Sequence, residues 1–258
     1  MASPKQQSAL TTAWKIWSKK SNKKVVGTRV SQTPTPEAPV LEYCNRNQQP
    51  IAEMLVKHLP KKAFVLEIGS GTGQHGAYIT EHYSHLTWQP SELVENLANI
   101  ELWRQQVQRR NFLPPLILDV NQPLWPVEQA NAVFTANTVH FVDWRTVQNM
   151  FDGVSQVLAA GGLFLIYGPF NYSGEYESDG NRSLDDWLKG RNPDSGIKDF
   201  EQLLMLARSH GFELRADEKM PANNHILVFR MKSKRKGKWL KHLKHIKPIK
   251  PLRFKRKS

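Results

Sequence analysis

The stretch from Ala63 to His75, AFVLEIGSGTGQH, constrains the fold of this chain more than any other. Phe64 to Ile68 is an apolar run broken only by Glu67, the pattern of a strand buried on both faces of a parallel sheet. Gly69, Gly71 and Gly73 then alternate with Ser70 and Thr72. Glycine at every second position lets the backbone turn sharply and leaves no Cβ between the main chain and a ligand. Residues 74–83 read as a helix whose free N–H groups and positive dipole end face the glycine loop. A strand, a glycine loop and a helix N-terminus together make a nucleotide-type pocket. A tight turn with no ligand is the plainer alternative.

The kind of nucleotide depends on register. From Gly71 the letters GTGQHG match the dinucleotide pattern G-x-G-x-x-G. From Glu67 they read E-x-G-x-G-x-G, which resembles the first motif of class I S-adenosylmethionine-dependent methyltransferases. The second register is preferred, because Gly69 directly follows the end of the strand at Ile68 and Gly71 starts two residues late.

At 258 residues the chain is one large domain or one domain with tails. A single cysteine, Cys44, excludes an internal disulfide, so a reducing compartment and a cytoplasmic location are expected. No apolar run approaches the ~20 residues of a membrane helix, and no secretory signal follows the start. The net charge of +13 is uneven. Residues 232–258 carry 13 Lys/Arg and residues 1–36 carry 7, both without an acid, which leaves a central body of net −7.

Residues 1–39, rich in Lys, Ser, Thr, Gln and Pro, read as a disordered basic arm, with a transit peptide as the lesser alternative. The globular domain is expected over 40–231. Pro50 suits the first turn of a helix carrying Ile51, Leu55, Val56 and Leu59, which would leave Arg46 and Asn47 just before it. After the glycine loop come a strand over 85–89 and a long helix over 92–110 capped by Ser91. Glu92 has two readings: a carboxylate for ribose hydroxyls, or a first-turn acid that steadies the helix without any ligand. Further strands are expected over 115–120, ending near Asp119, over 130–136, followed by Asn137 and His140, and over 163–167. Asp143 caps a helix over 144–158 that Gly161–Gly162 ends. The connection 170–199 is too long for a plain turn and too aromatic to be disordered. A helix over 200–210 and a hairpin, 212–219 and 225–231 around MPANN, close the body.

This order gives an α/β, Rossmann-like fold: a seven-stranded, mostly parallel sheet ending in an antiparallel hairpin. A dinucleotide domain would continue as a second βαβαβ half instead. The strings LEIGSGTGQH, WQPSE, PPLILDV, TANTVH, YGPFNYSG, DxWLKxRNPxxGIKD and MPANN, in this order, resemble an uncharacterised methyltransferase-like family whose animal members go by the name methyltransferase-like protein 26. The resemblance covers residues 43–230. It departs at Asn45 and Asn131, where acids are usual, and at Glu92, where Asp is usual.

The resemblance implies S-adenosyl-L-methionine as cofactor and an acceptor it does not name, with a small molecule the expected class. On the cofactor side it implies Glu67, Gly69, Ser70, Gly71 and Gly73 at the methionine moiety, Glu92 at ribose, Asp119 with Val120 at adenine, and Asn137 beyond the fourth strand. Arg46 is the cation for the methionine carboxylate. His140 is the candidate general base, the alternative being a histidine bonded to a neighbouring carbonyl. Tyr167, Tyr172, Tyr176, Trp187 and Arg191 are the acceptor-side candidates, with 170–199 as a lid. The nine His are scattered and no Cys pair exists, so no metal is expected. The tail 232–258 reads as a contact for RNA or an anionic membrane, or as a solvated extension. A non-catalytic binding protein tethered by its arms is the second functional reading. Deleting 232–258 should remove RNA or vesicle binding and spare S-adenosylmethionine affinity. With about 5 phosphate contacts, the log–log salt slope should be roughly −3.5.

Overall fold

The computed structural model describes residues 37–232, so the expectations for both basic arms lie outside the described residues. The first half of the body runs α1 (Glu42–His58), β1 (Ala63–Ile68), α2 (Gln74–His82), β2 (Leu86–Glu92), a 3₁₀ turn (Val94–Asn96), α3 (Leu97–Val107) and β3 (Leu116–Ile117). The second half runs β4 (Ala130–Ala136), α4 (Trp144–Val157), β5 (Leu158–Gly168), β6 (Phe170–Asn171), α5 (Asp179–Arg191), β7 (Lys198–Asp199), α6 (Phe200–Ser209), β8 (Phe212–Met220) and β9 (Asn224–Met231).

Seven strands form one sheet in the order β3-β2-β1-β4-β5-β9-β8. The first five are parallel, β9 returns antiparallel to β5, and β8 is antiparallel to β9. Alternate residues feed two cores. On one face Leu66, Val133, Phe164, Leu227 and Phe229 pack under α4 and α6. On the other Val65, Trp88, Ala132, Leu165 and Val228 pack under α1, α2 and α3. The parallel register aligns the strand ends: Ile68 lies beside Ser91, Glu92 beside Ile117, Ala136 beside Tyr167, and Gly168 beside His225. Strand order reverses between β1 and β4, where open α/β sheets leave a crevice at the carboxyl ends of their strands.

Several boundaries differ from the expectations. Helix α1 begins at Glu42, so Pro50 sits inside it and Arg46 and Asn47 are helical rather than preceding it. Proline removes the bond to the carbonyl four residues back, that of Arg46. Arg46 lies opposite the buried Cys44, Ile51 and Leu55, so water can satisfy that carbonyl. Strand β2 runs through Pro90 and Ser91 to Glu92. Ser91 is therefore no helix cap; its hydroxyl donates to the Glu67 carbonyl at 2.6 Å. The helix after it is shorter and starts at Leu97. Strand β3 has only two residues. Gly161–Gly162 does not end α4, because Leu158 already pairs with Ala130 and the glycines lie in a bulge of β5. The body also reaches back past residue 40: Ala38 is buried and the Pro39 carbonyl accepts from Trp103 Nε1 at 3.0 Å.

The largest difference concerns 170–199, which is not an irregular loop. Strands β6 and β7 pair in parallel at its base, and α5, capped by Ser178 on the Asn181 N–H, fills its middle. Asp185 staples it together. One carboxylate oxygen accepts from the Ile197 N–H at 2.6 Å; the other accepts from Tyr176 OH and Lys189 Nζ, both at 2.6 Å. Gly196 is required there, since a Cβ on it would lie 2.7 Å from Asp185 Oδ1.

Gly76 lets α2 press onto β2, because a Cβ there would lie 2.7 Å from both Trp88 and Phe112. Gly76→Ala should therefore cost about 1–3 kcal/mol by overpacking, despite the better helix propensity of alanine. A fall in urea midpoint at constant m-value checks this.

Candidate functional site

The loop between β1 and α2 holds Gly69, Gly71 and Gly73 at φ +68°, +58° and +88°, in the left-handed region. A Cβ on Gly69 would meet Thr138 Oγ1 at 2.7 Å, and one on Gly73 would meet the Ile100 backbone at 3.1 Å. The turn is tied to β2: the Ser70 N–H donates to the Ser91 carbonyl at 3.0 Å, and the Ser91 N–H to Ser70 Oγ at 3.1 Å. Beneath it lies Glu67, 1% exposed, whose carboxyl accepts from Trp88 Nε1 at 2.8 Å. Its side chain therefore supports the turn from below and is turned away from the crevice, unlike the cofactor contact expected for it. Burial pushes the Glu67 carboxyl up to about 7, against the opposing bonds from Trp88 and Ser70.

Glu92, at the end of β2, aims its carboxylate at the turn. It accepts from the Gly71 N–H at 2.9 Å and from the Leu93 N–H at 2.8 Å. Burial raises its proton affinity, partly offset by those two bonds. The Asn96 side chain gives it a third bond, so of the roughly four lone-pair sites of a carboxylate about one remains for a ligand hydroxyl. Being the end of a strand, Glu92 is not the helix-steadying acid of the alternative reading. Asp119 and Val120 follow β3 on the same edge, and Asp119 Oδ1 accepts from the Asn121 N–H at 2.9 Å. Asn137 follows β4 at φ +54°, its N–H bonded to the Tyr167 carbonyl. Within the turn, the buried Thr72 hydroxyl has no partner among the described residues. An unpartnered hydroxyl, a bare glycine turn and a carboxylate with a spare lone pair fit a nucleoside with a polar tail.

Helix α1 closes one side of this edge. Asn45 Oδ1 accepts from Gln74 Nε2 at 2.5 Å, and Asn47 Oδ1 lies 2.9 Å from His75 Nε2. Asn47 also bonds the Tyr167 hydroxyl. Tyr167, expected at the acceptor, is 3% exposed and packs in the core under α1. Arg46 is exposed and makes no hydrogen bond or ion pair among the described residues.

Across the reversal point lie the residues expected to face an acceptor. His140, 3% exposed, packs on Phe141, and its Nδ1 has no partner. A Cβ on Gly168 would lie 3.4 Å from that nitrogen. The ring is thus not tied to a neighbouring carbonyl. Burial, with Lys198 nearby, lowers its conjugate-acid pKa to about 3. The His140 turn is held through its backbone: the Gly196 N–H donates to the His140 carbonyl at 2.9 Å, and Lys198 Nζ to the Val142 and Gly196 carbonyls at 2.8 and 2.9 Å. Burial lowers Lys198 to about 8. Of the aromatic candidates, Trp187 is 38% exposed, edge-on to Phe141 and covered by Arg191 at 3.9 Å. Tyr176 is spent on Asp185, and Tyr172 on Asp217 and His225. Sequence reading missed Thr138, Lys198 and Asp185, although all three fall inside the strings TANTVH and DxWLKxRNPxxGIKD.

An open depression of about 510 Å³ lies at the opposite end of β4 and β5, lined by Lys57, His58, Asn131, Arg215 and Arg230. Its cations pair with Glu213 and Glu218, so it is a charge-balanced surface rather than a second site.

A family model described as "Protein of unknown function (DUF938)" matches residues 38–231. Among solved structures, the chain is similar to an O-methyltransferase family protein from Burkholderia thailandensis, with TM-score 0.62 and 14% identity over 74% of this chain and 58% of that one. An O-methyltransferase family 2 protein from Planctomyces limnophilus, in complex with apigenin, has TM-score 0.62 and 14% identity over 73% and 59%. Human N-acetylserotonin methyltransferase, in complex with S-adenosylmethionine, has TM-score 0.59 and 14% identity over 74% and 53%. The chain spans a little over half the length of these structures. At such identities the likeness is one of fold, the Rossmann-like class I methyltransferase fold.

The raised Glu67 carboxyl makes a pH prediction. Its folded pKa of about 7 exceeds its ordinary value of 4.5, so its stabilisation is full below about 4.5 and is lost as the pH rises to about 7. His75 and His140, lowered to about 4 and 3, act in the opposite sense and weaken the fold as the pH falls below 6.5. Glu67→Gln keeps an acceptor for Trp88 and cannot ionise. Relative to wild type it should gain roughly 3 kcal/mol between pH 4.5 and 7, the two histidine effects cancelling in the difference. Urea titrations of both proteins across that range check it.

Proposed function

Because the chain belongs to the family described as "Protein of unknown function (DUF938)", its activity has to be read from the site, and we propose an S-adenosylmethionine-dependent methyltransferase acting on a small-molecule acceptor. One observation carries the reading: at the reversal point of a methyltransferase-type sheet, Glu92 and the left-handed glycine turn meet at 2.9 Å. The Gly69–Gly73 turn lies against the methionine moiety, with the Thr72 hydroxyl free to bond it. Glu92 holds a ribose hydroxyl, while Asp119, Val120 and Asn137 frame the adenine. Arg46 takes no part unless its side chain swings inward from the outer face of α1.

Bound S-adenosylmethionine supplies an activated sulfonium methyl; position and exclusion of water are the protein's contribution. His140 serves as a neutral partner that orients the acceptor. A ring whose conjugate acid is held near 3 takes a proton poorly, so the reading as a strong general base near neutral pH is set aside. Phe141, Trp187 and Arg191 offer an aromatic and cationic wall. The small-molecule class is supported by two neighbours of the same fold, one in complex with apigenin and the other with N-acetylserotonin in its name. Kinship with methyltransferase-like protein 26 belongs to the same reading and rests on the YGPFNYSG and MPANN strings.

S-adenosylhomocysteine at 100 times its Kd should stabilise the protein by about 2.7 kcal/mol, and NADH should not. In differential scanning fluorimetry Gly71→Val should abolish the shift, because valine resists φ +58°. Glu92→Ala should weaken S-adenosylhomocysteine binding by about tenfold or more. A thermal shift with NADH alone refutes the methyltransferase reading.

A further inference from the structure

Where the insertion meets the terminal hairpin, polar side chains from two strands and the insertion close around one buried histidine. His225, 3% exposed, follows the MPANN turn and pairs with Gly168 at the end of β5, the glycine against which His140 rests. Its Nε2 lies 2.8 Å from Glu177 Oε2, between β6 and α5. Its Nδ1 lies 2.6 Å from Asp217 Oδ1 on β8 and 2.9 Å from the Tyr172 hydroxyl, just after β6. That hydroxyl donates to Asp217 Oδ2 at 2.8 Å, so its oxygen is free to accept from Nδ1.

Ionised carboxylates only accept hydrogen bonds. Two of them, on opposite ring nitrogens at 2.8 and 2.6 Å, require an N–H on each nitrogen, which is the imidazolium. A neutral ring would turn one lone pair toward a carboxylate oxygen at hydrogen-bonding distance. The other groups around the cluster agree. Burial, Asp217, Glu177 and Glu201 all push the Tyr172 phenol up, which keeps it a donor. Glu201 and Asp199 accept from the Ser173 and Gly174 N–H groups behind it, and Lys219 stands opposite His225 in the ladder. A second tie joins the same surfaces: Asn181 Nδ2 donates to the Asn223 carbonyl in the turn at 3.3 Å.

We propose that His225 is a positioning residue for the acceptor side, whose ring, donating from both nitrogens to carboxylates of the insertion and the hairpin, docks the 170–199 insertion onto the terminal hairpin. Tyr172 and Glu177 belong to the insertion, and Asp217 and His225 to the hairpin, so the cluster is a bond between two pieces of structure. Without the ring, Glu177 and Asp217 would face each other as like charges across that junction, so its removal weakens docking. The consequence for methyl transfer rests on the function proposed above; the docking itself does not.

Hydrogen exchange of residues 172–191 in the full-length protein, referenced to β1, tests this together with ¹⁵N spectra of the ring. The expected result is a ring with an N–H on each nitrogen and 172–191 held closed alongside β1. His225→Gln should raise opening of 172–191 by about tenfold or more, as loss of a charge-assisted bond implies. Glu177→Gln, at a rim position 26% exposed, should do the same in part and serves if His225→Gln does not fold. A ring lacking an N–H on either nitrogen, or equal protection in wild type and Glu177→Gln, overturns the proposal. The S-adenosylhomocysteine thermal shift, measured on the same samples, separates the two ideas. Its absence in wild type, with exchange behaving as expected, sinks the function and leaves the docking standing.

Discussion

A glycine turn can offer bare backbone to a ligand only while something beneath it prevents collapse, and in this protein that support is the buried carboxyl of Glu67. It sits under the turn against the Trp88 indole, while its own carbonyl receives the Ser91 hydroxyl. Each neutral bond of this kind contributes about 1 kcal/mol. Their greater effect is geometric, since they join β1, β2 and the turn into one unit. Trp88 in turn fixes how close α2 can come, and Gly76 is the residue that permits that approach. The shape of the glycine turn therefore depends on a polar contact buried in the core beneath it.

The sheet divides its carboxyl edge between two tasks. Strands β3, β2 and β1 carry the cofactor candidates; β4, β5 and β9 carry His140, the insertion and the His225 cluster. The insertion behaves as a wall. Asp185 holds it internally, Lys198 ties it to the turn after β4, and the β6–β7 pair closes its base. Its aromatic residues were expected to face an acceptor, yet Tyr172 and Tyr176 are occupied by structural bonds. Trp187 is the one of that group left substantially open.

The strand and helix order was readable because parallel strands buried on both faces leave unbroken apolar runs, as in FVLEI and AVFTA. Boundaries failed where one residue type serves two local structures. Ser91 reads as a helix cap, yet its hydroxyl is used inside the sheet by Glu67. Pro50 reads as a helix start, but an outward-facing carbonyl lets it sit within one. Gly161–Gly162 reads as a helix stop and is a strand bulge. Glu92 was legible as a candidate, but its place at the end of a strand was not. The insertion was opaque because its order comes from Asp185, whose partners Tyr176, Lys189 and Ile197 show no helical or alternating period that a pattern could detect.

Because β9 runs antiparallel to the parallel strands, the body ends far from where its chemistry lies. His225 begins that strand at the site edge, and the Lys232 N–H closes onto the Gly211 carbonyl at the other end. Seven residue steps of extended chain lead from one to the other, a span of roughly 24 Å. A fluorophore or surface anchor attached just after Lys232 would hold the protein by the base of its sheet and leave the crevice facing outward. For immobilisation on a sensor surface, that end of the body is the natural handle.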